Sequence, residues 1–166
     1  MTAPGEHDWA AVRDVRLAAL ADTPDAFDSS RAAEQGQPEQ QWRDRLRAGG
    51  QRLGWLDEGP VPVGLARGVV HEVGRSGGQS AVEHHLVGMW VSPAARGAGV
   101  AGALVEAVLD WAREQAAPRL LLWVVGGNEA AHRLYLRHGF TPTGRVQPLP
   151  SRPWQPEQQY ARTLTG

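Results

Sequence analysis

The chain contains no cysteine, no lysine and no isoleucine. Without cysteine, disulfides, thiolate nucleophiles and cysteine-ligated metal sites are excluded together. A reducing compartment fits, and the cytoplasm is the expected location. Without lysine a P-loop is excluded, because that motif sets a lysine on the phosphates directly after its glycines. All 17 basic residues are arginine. Lysine and isoleucine use AT-rich codons, so the gene reads as GC-rich and bacterial. Large net charge is also missing: 17 basic against 18 acidic side chains leave −1, which gives no electrostatic footprint for nucleic acid or an anionic membrane. No apolar run approaches the length of a membrane span, and Met1 to Ala10 is not a signal peptide.

What is present suits one domain around one core, residues 1–166, with 42% hydrophobic residues. Helical periodicity predicts a helix from about Asp8 to Leu20, carried by Trp9, Val12 and Leu20, with Asp8 as N-cap. A loop with Pro24 follows from Asp22 to Ser30, then a second helix from about Pro38 to Arg47, closed by Gly49-Gly50. Strands are predicted at Gln51 to Leu56 and Val61 to Val70, joined by a hairpin turn at Asp57-Glu58-Gly59-Pro60. After a flexible turn from Gly74 to Ser80 comes a strand from Val82 to Val91. The main helix, about Gly97 to Gln115, buries Leu104, Val105, Val108, Leu109 and Ala112. Arg119 to Val125 is an unbroken apolar strand of the kind buried on both faces. A helix from Asn128 to His138 ends at Gly139. A short strand at Phe140 to Gly144, a proline-rich loop from Gln147 to Pro156 and a last strand from Gln158 to Leu164 complete a mixed α/β order.

The most informative stretch is Val91 to Leu104, where a strand, a short turn and a glycine-rich segment lead into the main helix. Backbone N–H groups there converge on the positive end of a helix, a place for a phosphate or pyrophosphate. Gly97-Ala98-Gly99-Val100-Ala101-Gly102 spells the dinucleotide pattern G-x-G-x-x-G. Three features oppose a dinucleotide. The acidic residue expected about twenty positions on is replaced by Leu120-Leu121-Leu122-Trp123. The glycines lie well beyond the tip of the strand. Too little chain follows to build the second half of such a fold.

Arg96-x-x-Gly99-x-Ala101 resembles the Q/R-x-x-G-x-G/A motif of the GNAT superfamily of acyl-CoA-dependent N-acetyltransferases. A second block, Asn128, Ala131 and Leu134-Tyr135-Leu136-Arg137-His138-Gly139-Phe140, is similar to the family's N-x-x-A-x-x-L-Y-x-x-x-G-F. The blocks stand in the family's order with a buried strand between them, and the resemblance covers about Leu86 to Phe140. It implies a central mixed, mostly antiparallel sheet flanked by helices, with two parallel strands splayed at the CoA site. It also implies transfer of an acetyl group from acetyl-CoA to a primary amine by direct attack in a ternary complex. A CoA-binding module without turnover is the alternative; Tyr135 opposes it. The family's first strand would fall in Met1 to His7, a poor strand sequence, so that strand is absent or the chain begins late.

Carried over residue by residue, the resemblance puts the CoA pyrophosphate on the backbone of Arg96, Gly97, Ala98, Gly99, Val100 and Ala101, with Arg96 adding charge. Gly97 and Gly99 are expected where a Cβ would block close approach or the backbone angles of the loop; the last glycine, Gly102, serves the helix. Pantetheine would lie along the backbone of Met89, Trp90 and Val91, one of whose N–H groups polarises the thioester carbonyl. Asn128 is either a pantetheine contact or a helix N-cap, or both. Tyr135 is the implied general acid and also one of the implied CoA contacts. For the base, Glu83, His84 and His85 are the local candidates. Strand alternation puts Glu83, His85, Val87, Met89 and Val91 on one face, which favours Glu83 and His85. No metal is expected: Glu83-His84-His85 has no matching ligand set, and His132 and His138 do not share a helix face. The acceptor, a small-molecule or peptide amine, would be selected by Asp22 to Glu34 and by Pro148 to Glu157. Asp22, Asp25 and Asp28 could attract its cation or cap turns, and Trp42 and Trp154 could line its pocket. The family's habit of forming homodimers extends the resemblance to assembly; no nucleic-acid or membrane partner is expected.

Overall fold

A computed structural model describes residues 1–56, 59, 61–74 and 80–164. The turns expected at Asp57-Glu58-Gly59-Pro60 and from Gly74 to Ser80 fall largely outside these. Near the N-terminus, α1 (Trp9–Asp22) buries Val12, Val15, Leu17, Ala19 and Leu20, and α3 (Glu39–Arg47) buries Trp42 and Leu46. Between them the short α2 (Arg31–Gln35) starts at Ser30, whose Oγ accepts the Ala33 N–H at 3.2 Å. That N-cap had no strong apolar period behind it, and periodicity alone misses the helix.

Six strands form one sheet in the order β1-β2-β3-β4-β6-β5: β1 (Gln51–Gly54), β2 (Gly64–Gly74), β3 (Ser80–Val91), β4 (Arg119–Val125), β5 (Thr141–Leu149) and β6 (Arg152–Thr163). Every neighbouring pair is antiparallel except β3 and β4. The crossover between these two is α4 (Val100–Glu114); α5 (Glu129–Arg137) follows β4. Leu104, Val105, Val108 and Leu109 of α4 join Ala66, Leu86, Leu120 and Leu122 in one core, to which α5 adds Tyr135. On the opposite face α1 and α3 pack on Leu53, Leu65 and Trp90. β4 buries Leu120, Leu121, Leu122 and Val124, as a central strand covered on both faces should. Among the described residues no helix is long and apolar enough to cross a membrane.

Three expectations are corrected. Gln147 to Pro156 is not a loop: β5 and β6 form a hairpin that turns at Pro150-Ser151, with Pro148 opposite Pro156. The prolines are tolerated because β5 is the sheet's edge, and β6 before Glu157 runs past the end of β4; an edge strand leaves one row of N–H groups unneeded. Alternation does not run unbroken along β3. Leu65 pairs with Trp90 but Arg67 with Val87, so Gly88 and Met89 together oppose Ala66, a β-bulge. Gly88 has φ +64°. Beyond it the parity flips: Met89 and Val91 pack with Leu86 toward α4, and Trp90 turns to the α1 side. The main helix begins at Val100, after a turn through Gly97 and Gly99 at φ +83° and +81°. At the N-terminus, Thr2 makes a two-way backbone bridge with Leu53 and no longer strand.

Gly68 fixes how closely α4 approaches the sheet, because a Cβ there would overlap the Trp111 ring. Gly68→Ala is expected to destabilise the fold by about 2–3 kcal/mol through overpacking, read from urea denaturation.

Candidate active site

β3 and β4 pair only at His84–Leu120 and His85–Leu121. Past these the strands separate, and the side of Leu86 to Val91 that would face β4 has no strand on it. A slot of about 140 Å³ fills the opening, lined by β3 at Leu86 to Met89, β4 at Trp123 to Val125, and Asn128, Ala131, Leu134 and Tyr135 of α5 and its cap. A larger cavity of about 770 Å³ lies on the α1 side. The two share Ala26, Phe27, Leu86, Val87, Gly88 and Trp123. The slot therefore opens into the cavity at the bulge.

At the far end of β3, Gly97 and Gly99 take left-handed angles, and a Cβ on either would meet nothing in the protein; the backbone turn, not crowding, requires them. No side chain caps α4, so its first N–H groups, which have no intrahelical partners, point out from the turn. Gly102 has a different task. Its Cβ would press on His138 at 3.1 Å, and His138 bonds Glu106 of α4 through Nδ1 at 2.7 Å. The Arg96 side chain is held within the protein: Nε donates to Val91 O at 3.2 Å and Nη2 to Asp22 Oδ2 at 2.6 Å. Trp90 Nε1 donates to the same Asp22 oxygen at 2.9 Å.

Tyr135 is buried in the slot wall, and burial pushes its hydroxyl pKa upward. Asn128 caps α5, accepting the Ala131 N–H at 3.1 Å, and also lines the slot. Glu83 and His85 come together, with His85 Nε2 3.2 Å from Glu83 Oε2, and Arg119 donates to the other Glu83 oxygen at 3.1 Å. They sit where β3 is still paired with β4, back along the strand from the slot, and neither lines the slot or the cavity. Burial lowers the His85 pKa and Glu83 partly offsets this; burial alone lowers that of His84. Burial pushes Glu83 up, but His85 and Arg119 outweigh it.

The two segments expected to select the acceptor do meet. Arg152, at the hairpin turn, pairs with the Asp25 carboxylate and donates to Asp25 O at 2.6 Å, and Ser151 N–H donates to Asp28 at 2.7 Å. Asp22, Asp25 and Asp28 are thus spent on intramolecular contacts. Trp42 lines the cavity, whereas Trp154 is 79% exposed. The charged lining was missed in sequence. Glu34 is buried, with Arg16 on both its oxygens at 2.8–3.2 Å and Arg45 on Oε2 at 3.1 Å. Burial raises the Glu34 pKa, and the two guanidiniums more than reverse that. Arg67 and Glu157 complete the charged lining on the sheet. Arg67 alone had a signal, an arginine among the apolar residues of a strand.

The model of the acetyltransferase (GNAT) family matches residues 14–140. The chain belongs to the GNAT family. Among curated GNAT relatives, a mycothiol acetyltransferase of Amycolatopsis mediterranei is 36% identical, with 55% of this chain and 33% of that protein covered. The chain spans little more than a third of the length of the curated relatives it matches. In fold it is similar to a GNAT acetyltransferase from Streptococcus pneumoniae (TM-score 0.76, 17% identity, 98% and 96% of the chains covered). It is likewise similar to the yncA protein of Salmonella typhimurium, solved with its cofactor acetyl-CoA (TM-score 0.67, 21% identity, 98% and 92% covered).

The two depressed imidazoles set a stability profile. Their folded pKa values lie below the unfolded value of about 6.5, so the unfolded chain binds protons first and stability rises with pH. The melting temperature is expected to be flat above about pH 7 and to fall as pH drops below about 6.5. Glu34 and Glu83 add a further loss below about pH 4.3. Calorimetry from pH 8 to 4 checks this; a midpoint unchanged between pH 7 and 5.5 contradicts it.

Proposed function

We propose that residues 1–166 act as one N-acetyltransferase domain, moving an acetyl group from acetyl-CoA to a primary amine by direct attack in a ternary complex. The observation that carries this reading is the junction of two spaces at Gly88. The narrow slot suits a thioester arm and the wide cavity suits an acceptor, and a nucleophile in the cavity meets the thioester where they join. Family membership and the acetyl-CoA bound in the Salmonella protein of the same fold support the choice of acyl donor.

In this reading the pyrophosphate rests on the N–H groups between Arg96 and Ala101, at the positive end of α4. Arg96 contributes through its backbone, since its side chain braces Asp22 and Val91. Pantetheine follows Met89, Trp90 and Val91, with Asn128 on the other wall. Backbone N–H groups near the bulge hold the thioester carbonyl and the oxyanion that develops on it.

The acceptor arrives as an ammonium and must lose a proton before its lone pair can attack. His85, kept neutral by burial and bonded to Glu83, accepts that proton through water from the cavity. The amine nitrogen then bonds to the carbonyl carbon, the C–S bond breaks, and its electron pair leaves on sulfur. Tyr135 gives the thiolate its proton, the acylated nitrogen sheds its second proton to water, and Tyr135 recovers a proton from the same water. Burial keeps the hydroxyl protonated at neutral pH but makes it a weaker acid, so donation rests on its placement beside the sulfur as the C–S bond breaks.

Tyr135→Phe is expected to lower kcat for thiol release by about 100-fold and to leave acetyl-CoA affinity unchanged in calorimetry. Unaltered thiol release would remove Tyr135 from the mechanism. Gly99→Ala is expected to weaken acetyl-CoA binding about tenfold, because alanine at a positive φ costs about 1–2 kcal/mol. Stabilisation by NAD with none by acetyl-CoA in a thermal-shift titration would overturn the whole reading. Acetyl-CoA binding without release to any amine would instead identify a binding module.

A further inference from the structure

The wide cavity carries charge that acetyl transfer does not use. Three guanidiniums line it, those of Arg16, Arg45 and Arg67. Glu34 answers the first two, and Arg45 also donates to Gln37 at 2.6 Å. The other lining carboxylates are engaged elsewhere: Asp28 accepts the Ser151 N–H at 2.7 Å, and Glu157 accepts from Gln147 Nε2 at 2.6 Å. Arg67 differs. Among the described residues it forms no ion pair, and its buried Nε has no hydrogen-bond partner. Burial lowers its pKa, and Arg45 and Arg16, both of its own sign, lower it further. A buried donor without an acceptor, on a cation beside two others, is an unfavourable arrangement, and an anion brought in by a ligand would relieve it.

The position of Arg67 says where that anion belongs. It stands on β2 opposite Val87, one residue before Gly88. Adjacent strands are about 4.8 Å apart, so a group held by Arg67 lies within a few bonds of the slot mouth. A guanidinium presents paired donors that match a carboxylate or a phosphate.

We propose that the acceptor is an amine that also carries an oxyanion, a carboxylate or a phosphate, which Arg67 binds so that the amine faces the slot. This rests on the acetyl-transfer reading above and narrows its substrate class to compounds such as amino acids and phosphorylated amines.

Thiol release is measured with matched pairs: tyrosine and tyramine, lysine and cadaverine, phosphoethanolamine and ethanolamine. The expected result is a preference of at least about tenfold in kcat/KM for the oxyanion-bearing member of at least one pair, the size of a charged hydrogen bond gained. Preference within the first two pairs identifies carboxylate, within the third phosphate. Arg67→Gln is expected to collapse the preference to about unity, and Arg67→Lys to retain part of it, since a point charge still attracts an oxyanion. A structural role for Arg67 would not move this ratio selectively. No preference in any pair, or one that Arg67→Gln leaves intact, overturns the inference. Release from tyramine, cadaverine or ethanolamine with no oxyanion preference overturns it and leaves acetyl transfer standing. Failure to bind acetyl-CoA, or no release with any amine of the panel, overturns both.

Discussion

The parting of β3 from β4 after His85 and Leu121 organises everything around it. A parallel pair in the middle of a sheet ordinarily continues as long as both strands do, because each unpaired backbone group buried between them costs free energy. Here β4 continues for four residues and β3 for six beyond the last pair. The bulge at Gly88 makes this sustainable on the β3 side. It adds a residue, turns the strand, and sends Met89 and Val91 to one face and Trp90 to the other. β4 is steadied by its full pairing with β6, from Val125–Glu157 to Arg119–Thr163. The opening is therefore braced from both outer sides, and it is along this opening that the proposed thioester arm would lie.

Charged contacts of long sequence separation tie down the segments around the cavity. Arg152 ties the β5–β6 turn to the segment between α1 and α2, and Arg96 ties the end of β3 to the end of α1 through Asp22. Both contacts join residues more than 70 positions apart, so they fix loops that no secondary structure fixes. Glu34 does the same for α2, sitting between Arg16 of α1 and Arg45 of α3. Buried ion pairs gain little over apolar packing, but removal of one partner leaves an uncompensated charge. Loss of Glu34 would leave Arg16, Arg45 and Arg67 facing one another across the cavity.

Much of this was legible in the sequence because it is written in local patterns. The period of Leu104, Val105, Val108 and Leu109 marks α4, the apolar run at Leu120 to Val124 marks a strand covered on both faces, and Gly97 and Gly99 mark a turn with positive φ. Tyr135 and Asn128 were implied by the resemblance of the block from Asn128 to Phe140, and both stand on the slot. The alternation of β3 misled, because Gly88 sits in a strand pattern and only pairing with β2 shows that it carries a bulge. The prolines of β5 and β6 misled because proline argues against a strand unless the strand lies at an edge, and edge position belongs to the whole sheet. Glu34 and Arg67 were missed for a third reason. Arg67 is marked only as an arginine within an apolar strand and Glu34 by nothing near it, because their environment is made by residues from α1, α3, β1 and β3.

The glycine-rich turn shows how one short segment divides its labour between loop conformation and helix packing. Gly97 and Gly99 have open space where a Cβ would be, so they answer to backbone angle alone. Gly102, three residues further, is pressed against His138, whose ring bonds Glu106 on the same helix. The spelling G-x-G-x-x-G treats the three as equivalent; physically the first two shape the loop and the third lets α5 close on α4. That closure bears on the proposed mechanism, because α5 carries Tyr135. Its C-terminal end is further held by Arg162 of β6, which donates to His138 O at 2.8 Å. A glycine at the start of α4 thus leaves room for the end of α5, the helix that carries Tyr135.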